Sequence, residues 1–170
     1  MAELMARMAE IAVSRHEGDV LVALGLGSCV GVALLDRASL VAGLAHVVLP
    51  ESRPGSPTPG KFADTAVPEL VRQVTGLGAT KARLHAVLVG GAQMFAASAG
   101  GALDIGRRNE QAVRTALAVA GIPITTTLTG GSAGRTMRVH LGAGLVTCKQ
   151  AGSQEETIAT RDAGRLRAAA

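Results

Sequence analysis

From residue 20 onward the apolar positions come in short unbroken blocks, and the breaks between blocks mark the elements. Residues 20–26 and 30–35 are apolar throughout and read as two buried strands, separated by the small residues Gly27-Ser28-Cys29. Asp36-Arg37-Ala38-Ser39 is a polar turn, and 40–49 is a third strand closed by Pro50. Residues 51–60 carry Pro54, Pro57 and Pro59 and predict a loop. The period then changes. Val67, Leu70, Val71, Val74 and Leu77 form one stripe at helical spacing, with Asp64 or Thr65 as cap and Pro68 tolerated in the first turn.

A further strand is expected over 84–89, ending at Gly90-Gly91. A second helix starts at or near Asn109, turns Val113, Ala116, Leu117 and Ala120 inward, and stops at Gly121. Short strands follow at 122–128, 136–141 and 145–149, separated by glycine-rich turns. The pattern predicts one domain over 1–150, α+β or α/β, with a mainly antiparallel sheet system and two principal helices. Residues 151–170 are polar and rich in Ala and Arg, and predict a mobile tail or a marginal helix.

Composition narrows the function. The 170 residues are 48% apolar yet contain two Phe, no Trp and no Tyr, which leaves almost no aromatic platform for stacking bases. The net charge of +4 comes from scattered basic residues, with Arg107-Arg108 the one tight pair before the tail. A nucleic-acid partner is therefore not expected. Cys29 and Cys148 form neither a metal-ligand spacing nor a C-x-x-C pair, so no metal and no cofactor is expected. The first turns carry Glu3, Arg7 and Glu10 and hold no signal-peptide core. The longest apolar run, between Asp19 and Asp36, is interrupted by Gly25, Gly27, Ser28 and Gly31. No membrane insertion is expected, and the expected compartment is the cytoplasm.

Two phosphate motifs are near misses. Gly55 to Lys61 has the G-x-x-x-x-G-K spacing, but Phe62 stands where a Ser or Thr must meet magnesium, and Pro57 and Pro59 remove backbone donors. Gly25-Leu26-Gly27-Ser28-Cys29-Val30-Gly31 resembles a dinucleotide fingerprint, but a strand follows it instead of a helix.

Cys29 carries the most specific chemistry. Gly27 and Ser28 place it at a strand break, where a thiol can be reached and backbone N–H groups can turn toward an oxyanion. A symmetric hairpin through residues 36–39 sets Leu35 against Leu40 and, carried outward, Cys29 against His46. A histidine beside a thiol favours the thiolate and can later protonate a leaving amine. Cys148 reads as a small buried hydrophobe, and His16, His85 and His140 have no such partner.

Six ordered blocks resemble the chemoreceptor glutamine deamidase family (CheD): Leu24 to Val30, Gly43 to Pro50, Lys61 to Ala66, Gly90 to Phe95, Ile105 to Asn109 and Thr129 to Gly131. The resemblance implies hydrolysis of glutamine side chains on methyl-accepting chemotaxis receptors. It assigns Cys29 as nucleophile and His46 as its base, with a thioester intermediate and backbone support for the oxyanion from Gly27 and Ser28. It implies a β-sandwich-like core with outer helices, similar to glutamine-deamidating toxins and cysteine hydrolases, and the phosphatase CheC as a further partner. One position departs from the family. A threonine that orients the histidine is usual six residues before the cysteine, and Ala23 stands there. A backbone carbonyl or a hydroxyl from elsewhere must then hold the imidazole. Gly90-Gly91 and Arg107 to Asn109 are candidates for the cleft wall, although backbone roles suit them better: positive φ for the glycines and a helix cap for Asn109. Two alternatives remain: a receptor- or CheC-binding regulator with little catalysis, and a cysteine hydrolase of small amides.

Overall fold

In this computed structural model the described residues are 1–94 and 104–160, and their strands form two five-stranded sheets. The first sheet runs β1 (Glu3–Met5), β3 (Val20–Leu26), β8 (Arg135–His140), β9 (Leu145–Gln150) and β10 (Glu155–Ala159). The second runs β2 (Ile11–Ser14), β5 (Val41–Val47), β4 (Val30–Asp36), β6 (His85–Gly90) and β7 (Ile124–Thr129). Pairing is antiparallel except for β1 with β3 and β6 with β7. Helices α1 (Ala63–Gly76) and α2 (Ile105–Ala120) cover the outer face of the second sheet. The α+β class and the sandwich-like, mainly antiparallel core are as expected.

This layering explains why 30–35 shows no polar alternation. Along β4, Ala33 and Leu35 face the first sheet, while Val30, Val32 and Leu34 face the helices. Both faces are buried, so both must be apolar. β8 has one free face and alternates accordingly: Met137 and Val139 point inward, Thr136 and Arg138 outward.

Several boundaries differ from expectation. β1 and β2 are short, fall before the first apolar block and carry no alternation long enough to read. Within the expected tail, Glu155–Ala159 forms β10 against β9, and Glu155 accepts from Thr147 and Arg138, which tie it to the sheet. Residues 161–170 lie outside the described residues. α1 starts at Ala63 with no side-chain cap. Asp64 instead accepts the Ser52 N–H at 3.0 Å and the Ser52 hydroxyl at 2.9 Å, which ties down the proline-rich loop. α2 starts four residues earlier than Asn109: Asp104 is the cap, accepting from the Arg107 N–H at 3.2 Å.

The β4–β5 turn is longer than the symmetric one expected. Asp36 pairs with Val41, Leu40 takes φ +55°, and Asp36 accepts the Ala38 N–H at 3.1 Å. The carboxylate also receives Arg83 Nε at 3.0 Å and the Thr80 N–H at 2.8 Å, which anchors the turn to the chain entering β6.

Candidate active site

Cys29 ends the short link between β3 and β4, and three successive carbonyls of that link are held from one region. The Ala92 N–H donates to the Gly27 carbonyl at 2.8 Å, Asn109 Nδ2 to the Ser28 carbonyl at 3.0 Å, and the Gly91 N–H to the Cys29 carbonyl at 2.8 Å. In a planar trans peptide the N–H points opposite to the carbonyl of the same unit. Anchoring the Gly27 and Ser28 carbonyls therefore turns the Ser28 and Cys29 N–H groups the other way. Among the described residues neither has a backbone acceptor. Gly27 differs: its N–H donates to the Gly25 carbonyl at 3.0 Å, so it supports the loop without offering a free donor. The packing is tight at Gly90, which has φ +114° and where any Cβ would collide with the Cys29 carbonyl oxygen.

His46 lies on β5, 1% exposed. Its Nδ1 is 3.1 Å from the Ala6 carbonyl oxygen, which can only accept, so Nδ1 carries the proton and Nε2 keeps its lone pair. Nε2 is buried and has no hydrogen-bond partner among the described residues. The backbone is bracketed too: the His46 N–H donates to the Glu10 carbonyl and the His46 carbonyl accepts from the Ala9 N–H, each at 3.0 Å. The chain between β1 and β2 thus holds the histidine from outside the apolar blocks.

The missing threonine is explained by the same segment. Ala23 is fully buried between the sheets, and its side chain offers no acceptor. Ala6 donates its N–H to the Val22 carbonyl at 2.8 Å, continuing the β1–β3 pairing and coming level with Ala23. The orienting acceptor is therefore a backbone oxygen beside the expected position. Nothing in the type of residue 6 announces it.

The expected direct opposition of Cys29 and His46 needs correction. The observed register sets Gly31 against His46 and Val30 against Val47, because the four-residue loop shifts the pairing by two. The parity survives. By strand parity Cys29, the residue before β4, falls on the inner face with His46. Thiol and imidazole are not hydrogen-bonded to one another here. Burial raises the Cys29 pKa, with its own N–H pulling the other way. Burial also lowers that of His46, opposed by the Ala6 carbonyl and the Glu10 carboxylate. Both directions favour a neutral thiol and a neutral imidazole over an ion pair.

Cys29 is 8% exposed, and the surface around its loop is partly apolar. Leu24 is half exposed, and the Met94 side chain lies directly over Gly27. A polar cleft of about 340 Å³ adjoins the Gly91 turn and is lined by Gln93, Asp104, Arg107 and Glu110 among others. Arg107 thus lines a cleft, whereas Asn109 is wholly buried and reaches the backbone only. Among the described residues no cluster of His, Cys, Asp or Glu has metal-binding geometry, and no helix is long and apolar enough to cross a membrane.

Comparison with known proteins places the chain among relatives. Residues 48–150 match the family model described as CheD chemotactic sensory transduction, a stretch that begins two residues after His46. A probable chemoreceptor glutamine deamidase CheD of Methanococcus vannielii is 40% identical over 148 residues, 86% of this chain and 94% of that protein. The chemoreceptor glutamine deamidase CheD of Thermotoga maritima is 40% identical over 147 residues, 86% of this chain and 91% of that one. A solved Neisseria meningitidis protein of the DUF152 type aligns at TM-score 0.45 with 10% identity, over 75% of this chain and 64% of that one, a likeness too loose to build on.

Proposed function

The chain belongs to the CheD family, and from that premise we propose that it hydrolyses glutamine side chains of chemotaxis receptors to glutamates, with Cys29 as nucleophile and His46 as base. The observation that carries this reading is the pinned imidazole. Among the described residues His46 Nε2 keeps a buried, unpartnered lone pair on the sheet face it shares with Cys29, and the Ser28 and Cys29 N–H groups have no backbone acceptor.

The steps follow from those groups. A glutamine carboxamide enters over Ser28-Cys29, and rotation of the Cys29 side chain brings sulfur to the fixed Nε2, as apo sites commonly tighten on binding. Nε2 takes the thiol proton while sulfur bonds to the carboxamide carbon, and the oxygen becomes an oxyanion facing the Ser28 and Cys29 N–H groups. The C–N bond breaks, and the imidazolium proton leaves with the nitrogen as ammonia. Water then attacks the thioester, His46 takes its proton, the C–S bond breaks, and the proton returns to sulfur. The products are a glutamate side chain and free thiol. The Ala6 carbonyl keeps the imidazole in the required tautomer and stabilises its cationic form.

The names of the relatives supply the receptor substrate, and the resemblance suggests CheC as a second partner, both met in the cytoplasm. A second reading, a receptor- or CheC-binding regulator with little turnover, is favoured by one observation: the thiol is not hydrogen-bonded to its base. Mass spectrometry of receptor cytoplasmic fragments decides. Wild type should convert defined glutamines to glutamates and Cys29→Ala should not. Turnover by Cys29→Ala would sink the cysteine mechanism, and binding without any turnover by wild type would select the regulator.

A further inference from the structure

We infer that Asn109 is a positioning residue that aims the oxyanion-binding N–H of Cys29, an inference that rests on the deamidase reading and adds a residue to it. Asn109 lies one turn into α2 and is fully buried. Its side-chain nitrogen has two hydrogens and uses both across elements: one to the Ser28 carbonyl at 3.0 Å, one to the Val48 carbonyl at 2.9 Å. Ser28 precedes the nucleophile, and Val48 follows the base by two residues. One amide therefore clamps the cysteine link to the end of the histidine strand.

The first contact has a directional consequence. The Ser28 carbonyl and the Cys29 N–H belong to one planar peptide unit, so drawing the carbonyl toward α2 sends the N–H away from the helix. Without Asn109, that peptide plane is free to rotate. The neighbouring carbonyls are held by backbone donors of Ala92 and Gly91, which any sequence would supply, whereas the Ser28 carbonyl depends on a side chain. Among the described residues Asn109 Oδ1 is buried without a partner, while both side-chain donors are used. Helix capping does not explain the residue, since Asp104 performs it.

Two reactions at Cys29 separate aiming from general support. Iodoacetamide alkylates sulfur by displacing iodide and forms no oxyanion. A p-nitrophenyl ester acylates sulfur through a tetrahedral oxyanion that needs the N–H. Asn109→Leu, which keeps the branched shape of the side chain and removes both donors, should slow acylation by more than about tenfold while alkylation changes by less than about threefold. Labelling is read at Cys29 by mass spectrometry, which excludes Cys148. On receptor fragments the same variant should lower kcat with KM little changed. Equal loss in both reactions would overturn the inference in favour of a merely structural role, as would unchanged acylation. If Asn109→Leu does not fold, Asn109→Asp serves. Its buried carboxyl can donate only when protonated, so the acylation-to-alkylation ratio, relative to wild type at each pH, should recover toward acid; a ratio independent of pH would also overturn the inference. Failure of wild type to deamidate receptors would refute the proposed function and leave the ratio measurable.

Discussion

Replacing Gly90 by alanine tests the close approach on which the cysteine link depends. Two costs add. An alanine at φ +114° is strained by about 1–3 kcal/mol. Its Cβ also collides with the Cys29 carbonyl oxygen, so the backbone must shift and the 2.8 Å hydrogen bond from the Gly91 N–H is weakened or lost, at about 0.5–1.5 kcal/mol. The expected total is about 1.5–4.5 kcal/mol. Gly121 is the control: it follows α2 at φ +73°, and a Cβ there meets nothing within 4 Å. Gly121→Ala should cost about 1–2 kcal/mol, the conformational part alone. Urea unfolding of both variants and wild type gives the two differences. Alkylation of Cys29 in the folded state should change in Gly90→Ala and stay at the wild-type rate in Gly121→Ala. Equal destabilisation by the two substitutions, with unchanged thiol reactivity in both, would refute the claim that Gly90 is required by contact with the nucleophile's carbonyl.

Three further outcomes are expected. Ala23→Thr should raise turnover by less than about threefold, because the Ala6 carbonyl already holds Nδ1, and should cost about 1–3 kcal/mol of stability by overfilling the core; a tenfold gain in kcat would show that Ala6 is an inadequate substitute. The kcat/KM profile of the deamidase should be broad, its acid limb below the ordinary histidine value of about 6.5 and its alkaline limb above the ordinary cysteine value of about 8.5, since burial lowers the one and raises the other; a limb shifted inward on either side contradicts the neutral resting pair. Burial alone would raise the Asp36 carboxyl, but the donors of Arg83, Thr80 and Ser39 overcome it and hold the group well below the usual carboxylate range. With a lowered folded value, its contribution is fully present above about pH 4 and fades as the pH falls toward that value. Asp36→Asn should cost about 1–3 kcal/mol at pH 7, and the gap to wild type should narrow by pH 2 in thermal melts; a gap constant with pH would remove the carboxylate from the account.

Much of the fold was legible because burial writes itself into apolar blocks. The two-sided burial of β4 produced the unbroken run 30–35, and the covering role of α1 produced the stripe through Leu70 and Val74. Turn length was not legible. Asp36 and Ser39 suggested a tight symmetric hairpin, and a non-glycine residue, Leu40, adopting positive φ lengthened the loop and moved the register by two. Since two is the period of a strand, the face of Cys29 survived an error in its partner. β10 was missed because Glu155-Glu156-Thr157 is an exposed, polar edge whose pairing comes from β9, not from its own pattern.

The sequence by itself determined the nucleophile candidate, its histidine and their shared face, because residue type and strand parity are local properties. It also singled out residue 109, but as a helix cap, a role that Asp104 performs. Only the tertiary structure decided what holds those groups: a carbonyl of Ala6 from before the first apolar block, and an asparagine arriving from a helix 81 residues beyond Ser28. A backbone acceptor has the same chemistry at every residue, and a buried amide can bond any carbonyl that packing brings within reach. Neither leaves a signature in one dimension.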